Sequence, residues 1–158
     1  MLRDFHVAMV VTHGDDGSMI ARPMAIARID HGGAMFFTTN LEDAHAAELA
    51  RDPRVSIVVQ SKSQYAAVRG TGKLSGDGAL IHSLWQETWR VWLPEGKDDP
   101  KICILVVEPS HGEYWDNAQS RGLKFAFAAA KAYLRGKLPE DREEHAEVDM
   151  TGPRTKDE

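Results

Sequence analysis

Cysteine is almost absent from this sequence, since Cys103 is the only one among 158 residues. A lone cysteine cannot form an internal disulfide, and a chain of this length with 42% hydrophobic residues can build a core without such cross-links. Cys103 lies in the apolar stretch from Lys101 to Val107, where it should pack as a small core residue. We therefore expect one compact domain in a reducing compartment, the cytoplasm.

Positive charge and long hydrophobic runs are also scarce. The formal net charge is −5 at pH 7, so the overall field repels nucleic acid and anionic membranes. The N-terminal apolar run from Val7 to Val11 is too short for a signal-peptide core and far too short to span a bilayer. We therefore expect no nucleic-acid partner, no membrane partner and no targeting segment.

The motifs of several enzyme classes are missing as well. The seven histidines are scattered, and none pairs with a second histidine or with a cysteine at the spacing of a metal site. The sequence has no Gly-x-Ser-x-Gly motif and no glycine-rich loop of the dinucleotide-binding or Walker type. We therefore predict no metal site, assign no catalytic residue, and find no support for a hydrolase or a phosphoryl-transfer enzyme.

The chain does contain many short apolar segments separated by turn residues. They predict strands over Val7–His13, Met19–Asp30, Ala34–Thr39, Val55–Gln60, Tyr65–Leu74, Ile102–Val107 and Glu113–Trp115. Helices are predicted over Leu41–Asp52, Asp77–Leu93 and Leu123–Gly136. Short antiparallel strands with few helices favour a mainly β fold, a small closed or nearly closed barrel.

The helices and the tail carry further expectations. Thr39 or Asn40 would be the N-cap of the first helix. The second helix has one apolar stripe, of a kind that is usually core or dimer interface, made of Ile81, Trp85, Trp89 and Trp92. The last segment, Lys137 to Glu158, is mostly charged and is expected to be loosely held.

The strand that contains Arg22 has an unusual composition. Pro23 cannot donate a ladder hydrogen bond, so we expect this strand to be at an edge or irregular, with backbone groups open to a ligand. A guanidinium and the amides of a nearby helix start both bind anions, which suggests a site for a phosphorylated cofactor. An ordinary strand, turn and helix with a surface arginine is the alternative interpretation.

Longer blocks, in a fixed order, carry a resemblance to a known family. They are Ala21–Met24, Phe36–Asn40, Glu48–Val55, Tyr65–Gly70, Trp92–Pro100 and Glu113–Asp116. Together they resemble the general stress protein branch of the pyridoxamine 5'-phosphate oxidase-like, FMN-binding split-barrel family, over roughly Phe5 to Asp116. The resemblance implies a six-stranded antiparallel split barrel in residues 1–118, a C-terminal helix and charged tail in residues 119–158, and a homodimer with FMN at its interface.

The same resemblance implies which residues bind the flavin nucleotide. Arg22 falls where the family has an arginine near the flavin ring and the ribityl chain. Thr38 and Thr39 match residues whose hydroxyl and backbone groups meet the flavin, whereas Tyr65 and Trp115 match groups that approach it across the dimer. The full set that it implies is Arg22, Pro23, Met24, Phe37, Thr38, Thr39, His45, Tyr65 and Trp115.

The sequence departs from the family at the expected phosphate position. Where the family usually has a serine and, two residues on, a lysine, this chain has Asp43 and His45. A carboxylate at the start of the helix would repel a phosphate brought to the same place. We hypothesise that His45 takes the place of the lysine, so that a bound phosphate raises its pKa and binding is tighter at mildly acidic pH.

The function that the resemblance implies is an FMN-binding flavoprotein, either a pyridoxamine 5'-phosphate oxidase-like oxidoreductase or a general stress protein. Oxidation of pyridoxamine 5'-phosphate itself is not expected, because apart from Arg121 the tail lacks the family's basic C-terminal segment. One alternative is a non-catalytic protein that binds flavin, or that has lost flavin and serves in stress response or interaction. A deazaflavin-binding protein is ranked last.

Overall fold

The structure, a computed structural model, describes residues 6–61, 63–116 and 145–149. Its strands are β1 (Val7–His13), β2 (Met19–Ile29), β3 (Met35–Asn40), β4 (Arg54–Gln60), β5 (Gln64–Ser75), β6 (Ile102–Asp116) and β7 (His145–Asp149). Its helices are α1 (Ala44–Arg51), α2 (Gly78–Leu84) and a short 3-10 helix (Glu87–Val91). The helix predicted over Leu123–Gly136 lies outside the described residues.

Strands β1 to β6 form an antiparallel barrel. Their order in the sheet is β3, β2, β1, β4, β5, β6, and an additional pairing of β3 with β6 closes the barrel. β1 pairs with β2 and β4 with β5, each pair joined by a short polar turn of the kind that favours hairpins. The mainly β, six-stranded antiparallel barrel predicted above is confirmed.

The barrel interior is filled by alternate residues of its strands, as expected where one face of each strand is buried. The interior cluster includes Val10, Phe37, Ile57, Val68 and Leu105. A second buried cluster, in which α2 and the 3-10 helix cover residues of β3 and β6, includes Phe36, Ile81, Leu84, Trp89 and Ile104. The expectation that Cys103 packs in the core is confirmed, because its side chain is fully buried.

Both described α-helices are shorter than predicted. Helix α1 begins at Ala44, three residues after the predicted start, and Asp43 is its N-cap. The prediction that Thr39 or Asn40 caps this helix is wrong, because both residues still belong to β3.

The helix predicted over Asp77–Leu93 is interrupted. Asp77 caps α2 by accepting hydrogen bonds from the first-turn amides, but α2 ends at Leu84 and the backbone of Trp85 is extended, with ψ of 135°. The apolar stripe therefore does not continue to its predicted end: Trp89 is 7% exposed, whereas Trp92 is 72% exposed.

Strand β2 changes its pairing partner along its length. β1 pairs with it from Met19 to Ala25, whereas the pairing with β3 covers Ile26 to Ile29 and includes a register shift. Pro23 lies opposite Met9 in the part that precedes the β3 pairing. The prediction of an edge or irregular strand around Pro23 is confirmed, and this part of β2 adjoins a cleft.

Strand β6 is continuous, although the sequence predicted two separate strands there. The register between β5 and β6 shifts at Gly70, which lies opposite Pro109. A Cβ atom at Gly70 would lie 2.0 Å from the carbonyl oxygen of Glu108, so this close approach requires glycine. The irregularity lets β6 pass through its proline without ending.

Part of the charged tail is also a strand. β7, His145–Asp149, pairs antiparallel with β6 over His111–Trp115 and lies beyond the barrel closure. The expectation of a loosely held tail is therefore wrong for these five residues.

Candidate functional site

A cleft of about 690 Å³ opens beside the part of β2 that precedes its pairing with β3. Its walls come from β2, the end of β3, the start of α1, and the 3-10 helix with the residues after it. The lining residues are Val7, Arg22, Pro23, Met24, Ala25, Thr38, Thr39, Asn40, Asp43, Ala44, His45, Trp89, Trp92 and Leu93. The volume lies in the range of cofactor sites, and the cleft gathers six of the nine residues predicted to bind flavin.

A bidentate ion pair with Glu48 holds the Arg22 side chain at the cleft wall. Its Nη1 donates to Oε2 of Glu48 at 2.8 Å and its Nη2 donates to Oε1 at 2.7 Å. Nη1 also donates to the hydroxyl of Thr12 at 2.9 Å, and that hydroxyl donates to Glu48 at 2.5 Å. These bonds use three of the five N–H donors of the guanidinium.

The Glu48 carboxylate is buried behind the wall, with its residue 5% exposed. The hydrogen bonds from Arg22 lower its pKa, and the bond from Thr12 acts in the same direction against the effect of burial. Glu48 is therefore ionised at neutral pH, and the Arg22 charge is balanced inside the protein. The predictions did not include Thr12 or Glu48 in the site; the position of Glu48 on the same helix face as His45 was the signal available.

A second polar cluster joins the end of β3 to the start of α1. The Thr39 hydroxyl donates to Oδ2 of Asp43 at 3.1 Å and lies 2.5 Å from Nε2 of His45. The single proton of the hydroxyl is used by Asp43, so Nε2 of His45 is assigned as the donor to Thr39. Asp43 also accepts from the backbone amide of Asn40. We call these three side chains, Thr39, Asp43 and His45, the polar cluster.

His45 is buried, with 6% exposure, and lies in the cleft wall. Burial lowers its pKa, and the nearby Arg22 charge acts in the same direction, while Asp43 and Glu48 act against it. His45 is therefore neutral at pH 7. A cationic role at neutral pH, as in the hypothesis that it replaces a lysine, would require a ligand that raises this pKa.

Thr38 contributes a hydroxyl that is not satisfied within the protein. Its Oγ1 is buried and has no hydrogen-bond partner among the residues that the structure describes, and the residue lines the cleft. A buried hydroxyl without a partner is costly, and such an atom in a cleft wall is satisfied when a ligand supplies the missing group.

The opposite side of the cleft is apolar. It consists of Met24 from β2 together with Trp89, Trp92 and Leu93. Trp89 is fixed by an edge-on contact with Trp85, with ring centroids 5.8 Å apart. The sequence predicted Trp89 and Trp92 to be core or dimer interface, and it is the interruption after α2 that brings Trp92 to this wall.

Three predicted flavin-binding residues do not line the cleft. Phe37 is fully buried in the barrel interior, so its side chain is a core residue, and its part in flavin binding stays a prediction. Tyr65 and Trp115 lie opposite each other on β5 and β6. Their predicted role concerns the partner subunit, and within one chain they lie outside the cleft lining.

The described residues support neither a nucleophilic cysteine nor a metal site. Cys103 is buried and burial raises the pKa of its thiol to about 11, which disfavours a nucleophilic thiolate. Within residues 6–61, 63–116 and 145–149 there is no group of three side chains suited to hold a metal ion. No helix in this part of the chain is long and apolar enough to cross a membrane.

Comparison with known sequences agrees with the family resemblance described above. The family model for "Pyridoxamine 5'-phosphate oxidase like" proteins matches residues 1–140. General stress protein 26 of Bacillus subtilis (strain 168) is 29% identical over 85 residues, which cover 50% of this chain and 60% of that protein. The match thus spans less than two thirds of the length of this relative.

Solved structures share the fold. A candidate general stress protein 26 from Jannaschia sp. CCS1 has a TM-score of 0.68 at 29% identity, over 94% of this chain and 92% of that one. The general stress FMN/FAD binding protein from Xanthomonas citri has a TM-score of 0.65 at 30% identity, over 75% of this chain and 85% of that one. The chain therefore belongs to the pyridoxamine 5'-phosphate oxidase-like family.

Proposed function

We propose that the cleft beside β2 binds a flavin and that the protein is a flavoprotein of the general stress type. The observation that carries this proposal is the buried Thr38 hydroxyl, which has no partner in the described part of the chain and belongs to a residue that lines a cofactor-sized cleft. The Xanthomonas citri relative, 30% identical, is named as an FMN/FAD binding protein, which supports the same ligand class.

The lining residues fit the ring system of a flavin. A flat heteroaromatic ring needs an apolar slot with a few fixed hydrogen-bonding groups. Met24, Trp92 and Leu93 supply apolar surface, while Thr38 and the two remaining N–H donors of Arg22 supply polar contacts. FMN is the flavin that the family resemblance implies.

A bound flavin would supply redox chemistry, and on that basis we propose oxidoreductase activity as the finer function. The chain's own residues would orient the ring and exclude water from it. His45 is the one neutral titratable side chain in the described wall, and its Nε2 proton is already donated to Thr39. The residues named here therefore hold the cofactor, and no catalytic acid or base is assigned.

We also propose that the protein is a homodimer and that its location is the cytoplasm. The homodimer is supported by exposed apolar side chains on the outer face of the barrel, with Val7 55%, Met9 39% and Val58 44% exposed. Met9 and Val58 are register partners on β1 and β4. Val7 belongs to this outer face and also lines the cleft, so a second subunit on the face would border the site.

Flavin titration of the purified full chain tests the proposal. We expect saturable quenching of flavin fluorescence by the protein with FMN or riboflavin as the probe. Met24→Glu places a carboxylate in the apolar wall and should abolish binding, whereas Met19→Glu, at a 76% exposed position of the same strand, should leave it unchanged. Thermal melting curves establish that both variants fold. If neither FMN nor riboflavin binds, the proposal is overturned.

A non-catalytic or flavin-free stress or interaction protein is the second candidate. The observation that favours it is the ion pair of Arg22 with Glu48, because an arginine already balanced by an internal carboxylate attracts an anionic cofactor less strongly. The flavin-free form of this candidate predicts that the visible spectrum of flavin does not change when the protein is mixed with it, whereas a non-catalytic flavin-binding protein would change it.

A further inference from the structure

We propose that the polar cluster Thr39, Asp43 and His45 makes this cleft select a flavin without a phosphate group, of the riboflavin type, over FMN. The inference rests on the proposed flavin site and specifies its ligand. It follows from which charges of the cleft wall are balanced within the protein and which hydrogen-bond donors of the polar cluster already have acceptors.

Among the described residues, the cleft wall offers no unbalanced cation for a phosphate. Of its described lining residues, Arg22, Asp43 and His45 are the titratable ones. Arg22 is balanced by Glu48 through two hydrogen bonds, and burial keeps His45 neutral at pH 7. The remaining charge is the Asp43 carboxylate, so the wall is net negative.

The charged neighbours behind α1 do not change this balance. Lys101 lies 2.9 Å from Glu42 in an exposed ion pair, and neither residue lines the cleft. Glu48, which also faces His45 from the same helix, adds negative charge on the buried side. A phosphate monoester carries roughly −1.5 to −2 charges at pH 7 and would meet this wall at a cost.

The hydrogen-bond donors of the cluster are also already used. The Thr39 hydroxyl donates to Asp43, and Nε2 of His45 is assigned as the donor to Thr39. What the polar cluster itself offers to the cleft is therefore mainly acceptor capacity on Asp43. The hydroxyl groups of a polyol chain donate to carboxylates, whereas a phosphate dianion is an acceptor and needs donors. A ribityl chain that ends in a hydroxyl complements this cluster.

The test compares the affinities of riboflavin and FMN for the full-length protein at pH 7.5 by fluorescence quenching. We expect riboflavin to bind at least tenfold more tightly than FMN. Raising the salt concentration should narrow the difference by weakening the repulsion between FMN and Asp43, because exposed charges are screened.

Asp43→Asn removes the charge and nearly preserves the shape of the side chain. We expect this variant to bind FMN about tenfold more tightly and riboflavin less tightly than the unmodified protein, because a neutral amide replaces the carboxylate that accepts from the ribityl hydroxyls. Asp43 makes no side-chain hydrogen bond to the first amides of α1, so its role as N-cap does not confound the result. Glu42→Gln removes the same charge one residue away, outside the cleft lining, and should change neither affinity by more than twofold.

The outcomes separate this inference from the proposed function. FMN affinity equal to or greater than riboflavin affinity in the unmodified protein would overturn the selectivity and leave the flavin site standing. Equal effects of Asp43→Asn and Glu42→Gln would also overturn it, since the cluster would then have no specific role. Absence of binding by both flavins would overturn the flavin site and the selectivity together.

Discussion

Arg22 and Glu48 form an ion pair through two hydrogen bonds, of 2.8 Å and 2.7 Å, across the wall that separates the cleft from the base of α1. The side chain of Arg22 is 27% exposed and that of Glu48 is 7% exposed. The Arg22 side chain therefore reaches the cleft, whereas the Glu48 side chain is buried behind the cleft wall. The pair therefore positions a guanidinium at the site while its charge is balanced inside the protein. An arginine expected from the sequence to meet a ligand has a structural role as well.

This difference in exposure predicts that removing either side chain destabilises the protein and that removing Arg22 has the larger effect. Arg22→Ala leaves a buried carboxylate without its cation, which we expect to lower the free energy of unfolding by roughly 2–4 kcal/mol. Glu48→Gln leaves a partly exposed arginine that water can solvate, so its cost should be about 1–2 kcal/mol. Urea denaturation of both variants measures these changes.

Glu42→Gln is the control for this comparison. Glu42 pairs with Lys101 at the surface, with side chains 67% and 53% exposed, and exposed pairs contribute little to stability. Its unfolding free energy should therefore stay within about 0.5 kcal/mol of the unmodified protein. A larger loss in Glu48→Gln than in Arg22→Ala would contradict the proposed balance of charges.

Stability should fall as the pH is lowered from 8 to about 3, in two steps with different causes. Burial holds the pKa of His45 below its usual 6.5, so the unfolded chain takes up this proton first and stability declines as the pH falls below about 7. The hydrogen bonds from Arg22 hold the pKa of Glu48 below its usual 4.5, so the stability it contributes is present above about pH 4.5 and is lost as the pH falls through the folded value.

Melting temperatures measured across this pH range test both steps. His45→Gln cannot titrate, so its melting temperature should be flatter between pH 7 and 5 while the decline at lower pH remains. Glu48→Gln should show the complementary behaviour, with a flatter profile at the acidic end. A melting temperature that rises on acidification from pH 7 to 5 in the unmodified protein would contradict the assignment of His45 as a buried neutral residue.

Much of the fold was predictable because its strands alternate clearly between buried and exposed positions. The predicted Val7–His13 strand matches β1 at both ends, since a clean alternation is bounded by a Gly-Asp turn. The joined β6 was not predictable, because Pro109 and Gly112 resemble a loop until the irregularity opposite Gly70 is known. The break after Leu84 was missed for a similar reason: an apolar stripe with helical spacing cannot reveal the extended backbone at Trp85.

The site was predictable where the chain itself brings residues together. Arg22 and Thr38 lie on neighbouring strands, and His45 lies in the first turn of the helix that follows. Because these three elements follow one another in the sequence, their order nearly determines that the three residues lie close together. Glu48 was missed because its partner, Arg22, lies 26 residues away in the sequence, and pairing over that separation depends on barrel register. Thr12 lies 10 residues from Arg22, and their contact depends on the register of the β1–β2 hairpin. The placement of Trp92 depended on the same kind of long-range geometry.

Thr38→Val tests whether the unpaired hydroxyl serves a ligand. The two side chains have the same shape, so replacing a hydroxyl that has no partner among the described residues should leave the melting temperature unchanged or raise it. Flavin affinity should fall by about fivefold, the loss expected for one neutral hydrogen bond. Thr71→Val, at an exposed position of β5, is the control and should leave flavin affinity unchanged. A destabilised Thr38→Val protein with full flavin affinity would mean that the hydroxyl has a structural role instead.

Gly70 and Gly76 offer a matched test of the β5–β6 irregularity. A methyl group at Gly70 would collide with the Glu108 carbonyl oxygen, whereas nothing lies within 4 Å of a Cβ at Gly76. Gly70→Ala should therefore lower the free energy of unfolding by roughly 2–4 kcal/mol, and Gly76→Ala should change it by less than about 0.5 kcal/mol. Chemical denaturation of the two variants decides this, and similar stabilities would show that β6 can shift to accept the methyl group.

The proposed homodimer predicts that a charge on the outer barrel face separates the subunits. Val58 is 44% exposed at the middle of that face, and Val58→Glu would bury an unpaired carboxylate in the interface, raising the dimer dissociation constant by at least roughly thirtyfold. Val91→Glu, at a 78% exposed position of the 3-10 helix, introduces the same change elsewhere and should leave the assembly intact. Light scattering coupled to size-exclusion chromatography gives the mass of each variant. Because Val7 joins this face to the cleft, dissociation by Val58→Glu should also weaken flavin binding, and a monomeric unmodified protein with full flavin affinity would show that one chain suffices for the site.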